Sequence, residues 1–461
     1  MMNALDETRL IDYVTQQRWY GAKSRSVSHA EVLDTVVLRT AEPQFALALV
    51  EMRYDTGAHD IYQLLYTLKD GGPEIDELDD PQLARELVSA MRSGLTLQGA
   101  EGVVEFVPIE GFAGLGRELM DARAVGAEQS NTSVVFDDEL ILKVFRRLEP
   151  GINPDLEMLR FLTEHGFPNI APLGGYYTYS GGPLGATLGI LQQFVAEGLD
   201  GWELALDEVG GADEDRFLTR VRRLGAVTGE MHSVLASDMN DPAFCAETPS
   251  VESLGLLTAT IDEEIEKVFL TLPDGDDRLE PILGRGEEVR EQLRLLAHAG
   301  STGKVIRTHG DYHLGQTLWA PRASDPLAGA VGGSGDWVIL DFEGEPARSL
   351  TERRRKRSPL RDVAGMLRSF AYVATAAEGL RGSAPSESFE RQAREQFLEG
   401  YLDAVEGSLL PSGQVAIDRL LAVFELEKAV YELRYELDNR PDWVGIPVTG
   451  IQRLIEQAAA A

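Results

Sequence analysis

At 461 residues the chain is too long for one ordinary hydrophobic core, so two or three domains are expected. Its net charge of −33 disfavours nucleic acid and anionic membrane as partners, because the protein would repel a phosphate-bearing surface. No stretch approaches the roughly 20 apolar residues of a membrane span, and an N-terminus carrying Asp6, Glu7 and Asp12 lacks a signal-peptide pattern, so a cytoplasmic location is expected. The single cysteine, Cys245, excludes an internal disulfide and any multi-cysteine zinc site, and it reads as a small buried apolar residue.

Along the first ninety residues, apolar runs at 31–38, 45–52 and 60–68 are separated by turns, which predicts an antiparallel sheet. Pro81 at a first-turn position predicts a helix over 81–91. Trp19, in Gln17-Arg18-Trp19-Tyr20, reads equally well as a packing anchor to the next domain and as a core residue of its own. From 102 to about 195 the pattern is again strands plus one helix. Strands at 134–136 and 140–145, joined at Asp137-Asp138, place Lys143 inside an apolar run. A buried strand lysine is costly unless an anion meets it, which is the position of the lysine that contacts ATP phosphates in kinases. Just upstream, Gln129, Ser130, Asn131, Thr132 and Ser133 stand where a phosphate-cradling loop is expected, with hydroxyl, amide and backbone N–H groups in place of glycines. Asn153-Pro154 signals a helix through His165. Glu157, one turn in, is the favoured carboxylate to orient Lys143, with Asp155 and Glu164 as rivals. The strand over 188–195 is expected to end in a hinge where backbone amides at Gln193 and Val195 receive adenine.

Residues 200 to 461 read mainly as amphipathic helices, at 214–237, 257–270, 286–299, 360–378, 387–406 and 415–437. Between them lies the stretch His309-Gly310-Asp311-Tyr312-His313-Leu314-Gly315-Gln316, followed by the apolar strand Val338-Ile339-Leu340 and then Asp341-Phe342-Glu343. Phosphoryl transfer from Mg-ATP needs one Asp facing the acceptor hydroxyl, and another Asp with an amide oxygen holding Mg²⁺. Asp311 takes the first role, and Gln316 and Asp341 the second. Gln316 sits five residues after Asp311, the offset at which protein kinases place their metal-binding Asn, and its carbonyl is a suitable hard ligand. A β-rich part followed by a helical one completes an α+β, bilobal, protein-kinase-like reading. An insert rich in Gly, Ala and Pro between Trp319 and Asp336 is expected to point away from the site. The run Arg353-Arg354-Arg355-Lys356-Arg357 reads either as a cationic rim for ATP or an acidic partner, or, more simply, as a solvated loop.

Several of these segments together resemble one family, the bacterial maltokinases, within the aminoglycoside-phosphotransferase-like branch of the kinase fold. The resemblance runs from Gln17-Arg18-Trp19-Tyr20 through Gln129 to Ser133, Lys143-Val144-Phe145-Arg146-Arg147, Gly151-Ile152-Asn153-Pro154-Asp155, the 309–316 stretch, Asp341-Phe342-Glu343-Gly344-Glu345-Pro346 and Ser358-Pro359-Leu360-Arg361-Asp362-Val363-Ala364-Gly365, to Lys428-Ala429-Val430-Tyr431-Glu432. It implies three parts, a β-rich N-terminal cap (1–92), an intermediate nucleotide-binding domain (93–198) and a mainly helical C-lobe (199–461). It also implies ATP- and Mg²⁺-dependent phosphorylation of maltose at its anomeric hydroxyl, feeding α-glucan synthesis. Asp311 matches the family's base, Gln316 and Asp341 its metal ligands and Lys143 its phosphate lysine. The sugar is then held by His313, Lys428, Tyr431, Tyr435 and Glu436. Positions 428, 431 and 435 do share a helical face. Two alternatives stand beside this reading, a kinase of another small sugar, amino sugar or aminoglycoside, and a kinase-fold docking partner of a trehalose-to-maltose isomerase.

Overall fold

The computed structural model describes residues 6–69, 72–76, 78, 81–116, 119–125, 131–182, 184–211, 213–273, 275–297, 302–321, 335–346 and 348–459. They fall into two compact units, Met1–Glu197 and Gly198–Ala461. The first is β-rich and the second mainly helical, the α+β division expected from the sequence.

In the first unit the antiparallel strands Val27–Arg39, Gln44–Tyr54 and His59–Lys69 form a sheet, with Gly72–Asp76 on the last of them. Their alternation buries Ala46, Ala48, Val50, Tyr62 and Leu64 on one side with Leu10 and Val14 of helix Glu7–Gln16. The sheet is completed from beyond residue 140, because Arg147–Leu148 pairs with Tyr62 and Ile61. A second sheet runs in the order Thr96–Gln98, Gly102–Pro108, Leu173–Gly181, Leu184–Gln193, Leu140–Phe145, Asn131–Phe136, Ala122–Val125.

Buried polar side chains tie the two sheets. Gln63 donates through Nε2 to the carbonyls of Phe145 (3.0 Å) and Leu188 (2.8 Å) and accepts from the Tyr177 hydroxyl (2.9 Å). Asp34 accepts from the Tyr179 hydroxyl and the amides of Ala100 and Glu101. Within the first sheet, Arg147 forks onto one oxygen of Asp60, on the neighbouring strand, at 2.9 and 2.7 Å. Trp19 is buried between the Tyr62 ring (5.5 Å) and the guanidinium of Arg146 (5.6 Å). Since Arg146 follows the lysine strand, the tryptophan is the anchor between the two sheets as well as part of the first core.

The second unit is built from helices Glu214–Leu235, Val251–Leu270, Gly286–Ala297, Leu360–Arg381, Phe389–Ala404, Gln414–Asn439 and Gly445–Ala459. The second begins six residues earlier than its apolar pattern suggests, because Ser250 accepts the Ser253 amide as an N-cap. A small antiparallel sheet of Leu199–Asp200, Thr317–Pro321 and Gly335–Ile339 frames the 309–316 stretch and Asp341. The centre of the 319–336 insert lies outside the described residues. Among the described residues no helix is long and apolar enough to cross a membrane.

Candidate active site

The loop carrying Asp311 is pinned from below by Asp362, on the first turn of helix Leu360–Arg381. Its buried carboxylate accepts the amides of His309 (2.8 Å) and Gly310 (2.9 Å) and faces His232 Nε2 at 3.1 Å. Burial alone would raise its pKa, but His232, His309 and the backbone donors outweigh that and hold it below the ordinary carboxylate value. His309 Nε2 donates to the Leu340 carbonyl at 2.8 Å, and its Nδ1 accepts the Asp311 amide at 3.4 Å, so the ring ties the loop to the residue preceding Asp341. Further along, Leu314 N donates to Ser369 Oγ and the Tyr312 hydroxyl meets Thr228. Helix and loop touch at Gly365, where a Cβ would stand 2.6 Å from the Tyr312 carbonyl oxygen.

With its backbone fixed at these points, Asp311 turns its carboxylate toward a cavity and meets Lys428 Nζ at 3.3 Å; the same ammonium lies 3.4 Å from Glu345. Desolvation opposes ionisation of Asp311, yet Lys428 foremost, then His313 and His309, keep its pKa below the usual range. For Lys428 burial acts downward, and Asp311, Glu345 and Glu432 more than reverse it, so the pair remains charged at neutral pH. His313 is shifted the other way, mainly by burial, and is neutral near pH 7. Its Nδ1 accepts the Gly315 amide at 3.1 Å, which leaves the proton on Nε2 as a donor.

Gln316 ends a single 3₁₀ turn, and its Nε2 lies 3.3 Å from Asp341 Oδ2. Asp341 has φ 59, a left-handed backbone uncommon outside glycine. Glu343 brings a carboxylate oxygen within 4.8 Å of that of Asp341. The paired carboxylates are hard oxygen donors of the kind Mg²⁺ takes, and Gln316, whose amide NH₂ faces Asp341, carries a carbonyl oxygen of the same class beside them, so the residues fit the ion. Glu343 was visible in the Asp341-Phe342-Glu343 run but carried no assigned role.

The structure brings the residues expected at the sugar together. Asp311, His313, Lys428, Tyr431, Tyr435 and Glu436 line one cavity of about 540 Å³. Sequence reasoning missed its aromatic wall, in which Trp443 stands 6.2 Å from Trp202 and 5.9 Å from Tyr372. It also missed the bracing beneath, where Arg368 binds Glu432 at 2.9 and 2.6 Å and Arg440 binds Glu436 at 2.9 and 2.6 Å. Asp362 stood in a recognisable segment, but nothing local marked it as the support of a loop fifty residues away.

Several expectations on the nucleotide side are corrected. Lys143, in strand Leu140–Phe145, pairs with Asp155 Oδ2 at 3.2 Å, so the residue named as a rival of Glu157 contacts the lysine. Both Asp155 and Glu157 are buried on the first turn of helix Pro154–Glu164. Asn131, Thr132 and Ser133 are not loop residues; they open strand Asn131–Phe136 opposite Phe145, Val144 and Lys143. Ser133 is fully buried and Thr132 accepts from Arg146 Nε, so these hydroxyls face the sheet or its neighbours. Gln129 and Ser130 lie outside the described residues. The Gln193 N–H donates to the Pro172 carbonyl and so is not a free donor for adenine.

Two further readings also change. Cys245 is half-buried rather than core, with Lys356 Nζ 3.3 Å from its sulfur. The cationic run is not a solvated loop, since Arg353 donates to the Glu343 carbonyl, Lys356 pairs with Glu247, and only Arg355 of the five is exposed.

Residues 13–94 match the family model of the maltokinase N-terminal cap domain, and residues 121–331 that of the phosphotransferase enzyme family. The chain is 27% identical over 387 residues to a glucosamine kinase of Streptacidiphilus jiangxiensis, covering 81% of each protein. It is 26% identical over 346 residues to a glucosamine kinase of Mycolicibacterium smegmatis, covering 73% of this chain and 80% of that one. A solved glucosamine kinase in complex with glucosamine, ADP and inorganic phosphate superposes with a TM-score of 0.71 at 22% identity, over 96% of this chain and 98% of the other, a likeness of fold.

Proposed function

Starting from a chain that belongs to the maltokinase-like phosphotransferases, we propose that it transfers the γ-phosphoryl group of ATP to the anomeric hydroxyl of maltose, giving maltose 1-phosphate and ADP. The observation that carries this reading is the Asp311 carboxylate, held ionised by Lys428 and facing a cavity of about 540 Å³ with an aromatic wall.

Asp311 accepts a hydrogen bond from the attacking hydroxyl, aligns its oxygen with the phosphorus, and takes its proton as the new O–P bond forms and the bond to ADP breaks. A carboxylate with a lowered pKa is a weak base, which suits a loose transfer in which the proton leaves late. The neutral His313 donates through Nε2 to a sugar oxygen. Asp341, Gln316 and Glu343 would hold Mg²⁺, which neutralises charge on the transferring phosphates. Lys143, oriented by Asp155, supplies a cation for the nucleotide phosphates.

Charge favours a neutral sugar. Asp311 is matched by Lys428, Glu432 by Arg368 and Glu436 by Arg440, so each of these carboxylates already has a cation. An ammonium group entering there would meet carboxylates whose charge is already compensated, and so would gain less than at an unpaired one. The rings of Trp202, Tyr372 and Trp443 offer apolar faces to a second glucose unit. The alternative, an amino sugar, is supported by the glucosamine kinases among the relatives. Incubation with Mg-ATP and maltose, glucose, trehalose, glucosamine or an aminoglycoside, followed by NMR of the products, separates the two. Maltose 1-phosphate as the dominant product is expected; preferential phosphorylation of glucosamine overturns the choice of sugar, and no phosphorylated sugar overturns the reading.

A further inference from the structure

We propose that the C-terminal unit carries a second binding site, for a phosphate-class oxyanion, adjoining the catalytic cavity across the shared residues Lys428 and Tyr431 and centred on Arg357 with Arg348 and Arg361. A second cavity of about 70 Å³ lies there, with Gly310 and Tyr312 of the loop on one side and Arg348, Arg353, Arg357 and Arg361 on the other. A water needs roughly 10–15 Å³ by this measure, so the space admits a group of phosphate size and excludes a nucleotide.

The charges around it do not balance. Arg348 is paired with Glu345, Arg361 with Glu427, and Lys428 is shared by Asp311 and Glu345. Glu352, also on the wall, is turned into a capping box, its carboxylate accepting from Ser349 N (3.1 Å) and Oγ (2.7 Å). Arg357 is left over. Among the described residues it has no carboxylate within ion-pair distance, and its guanidinium donates only to the Glu352 carbonyl at a long 3.4 Å. Burial first, and then the like charges of Arg361 and Arg348, outweigh the more distant carboxylates of Glu427 and Glu345 and push its pKa down to about 10. A half-buried guanidinium facing two others is unfavourable without an anion, and arginine forks match the oxygens of a phosphate in pairs. The segment is braced from outside by Lys356, bound to Glu247 and the Pro242 carbonyl, so the arginines are presented on a fixed backbone.

The anion could be free phosphate or the phosphate of a sugar ester. Isothermal titration of the full chain at constant ionic strength, once with inorganic phosphate and once with glucose 1-phosphate, distinguishes them, with the nucleotide site filled by a non-hydrolysable ATP analogue. We expect saturable binding of at least one ligand, weakened about tenfold or more in Arg357→Met, the loss expected for one charge-assisted hydrogen bond, and unchanged in Arg355→Gln. Phosphate binding weakened in Arg357→Met identifies the free anion, and binding of the ester alone, if weakened in the same variant, identifies a sugar phosphate, whereas ester binding that Arg357→Met leaves unchanged belongs to the sugar cavity and overturns the site. Equal affinity in wild type and Arg357→Met overturns the site. If that variant does not fold, the wild-type titration still decides, because absence of saturable binding of both ligands overturns it as well. Neither result depends on which sugar is phosphorylated.

Discussion

The buried polar network between the two sheets of the first unit and the one beneath Asp311 in the second are similar in density and opposite in use. Around Gln63 the donors and acceptors are mostly neutral and close on one another. Its amide meets two carbonyls and a hydroxyl, and the nearby carboxylate of Asp34 is ringed by four donors. Around Asp311 the groups are charged and the network is left open on one side. Asp362 is enclosed by donors, but Asp311, Lys428 and Glu436 line a cavity. A network closed on itself fixes the relation of two sheets, whereas one that ends in ionised groups at a cavity wall holds reactive charge ready for a ligand.

The sharpest way to break this contrast is Asp311→Asn, which keeps shape and removes the base. We expect kcat to fall about 10²–10⁴-fold while nucleotide affinity, measured by titration, stays within a few-fold of wild type. Full activity would show that the open end of the network does no chemistry. Asp362→Asn tests the closed part of the same network. Its carboxylate serves two backbone amides and faces His232, and an amide NH₂ would confront one of those donors, so a loss of about 3–5 kcal/mol in urea unfolding at pH 7 is expected. The sign with pH follows from its lowered pKa. Such a group stabilises the fold above its unfolded value, about pH 4, and that contribution is lost as the pH falls through the folded value. The gap between wild type and variant should therefore narrow only below about pH 4; a gap that is constant from pH 7 to 3 would mean the carboxylate's charge is irrelevant.

How much of this was legible in the sequence depended on whether the needed partner was local. Helix Pro154–Glu164 was readable because Asn153 and Pro154 are adjacent to the turn they cap. The Asp311–Gln316–Asp341 set was readable because its motif is compact and its chemistry specific, whereas Lys428, Tyr431 and Tyr435 came from the family resemblance, with which their spacing on one helix face agrees. The Lys143–Asp155 pair was not, since carboxylates on one helical turn differ only in where the helix is rotated against the sheet. Asn131 to Ser133 were misread as a loop because small polar residues suit both turns and strands, and it is the pairing with 143–145 that decides. Asp362 and Gln63 were invisible as supports for a plainer reason, as their partners lie 52 to 125 residues away.

The smallest effect on activity, and the most telling for the comparison, is expected from Gln63→Leu. The side chain is fully buried, and replacement by a near-isostere strands the carbonyls of Phe145 and Leu188 and the hydroxyl of Tyr177 without water to satisfy them. An unsatisfied buried group costs about 1–3 kcal/mol, and partial relaxation should keep the total loss near the upper end of that range rather than at three times its value. Phe145 and Leu188 flank the strands that carry Lys143, so a seam that merely joins two sheets should leave kcat within about twofold when the folded fraction is held near one, since catalysis responds only to interactions that change in the transition state. Chemical denaturation and initial rates on the same preparation separate the two quantities. A large fall in kcat with little change in stability would mean that the seam positions Lys143 as well as the sheets, and the distinction between closed and open networks would then not hold in the first unit.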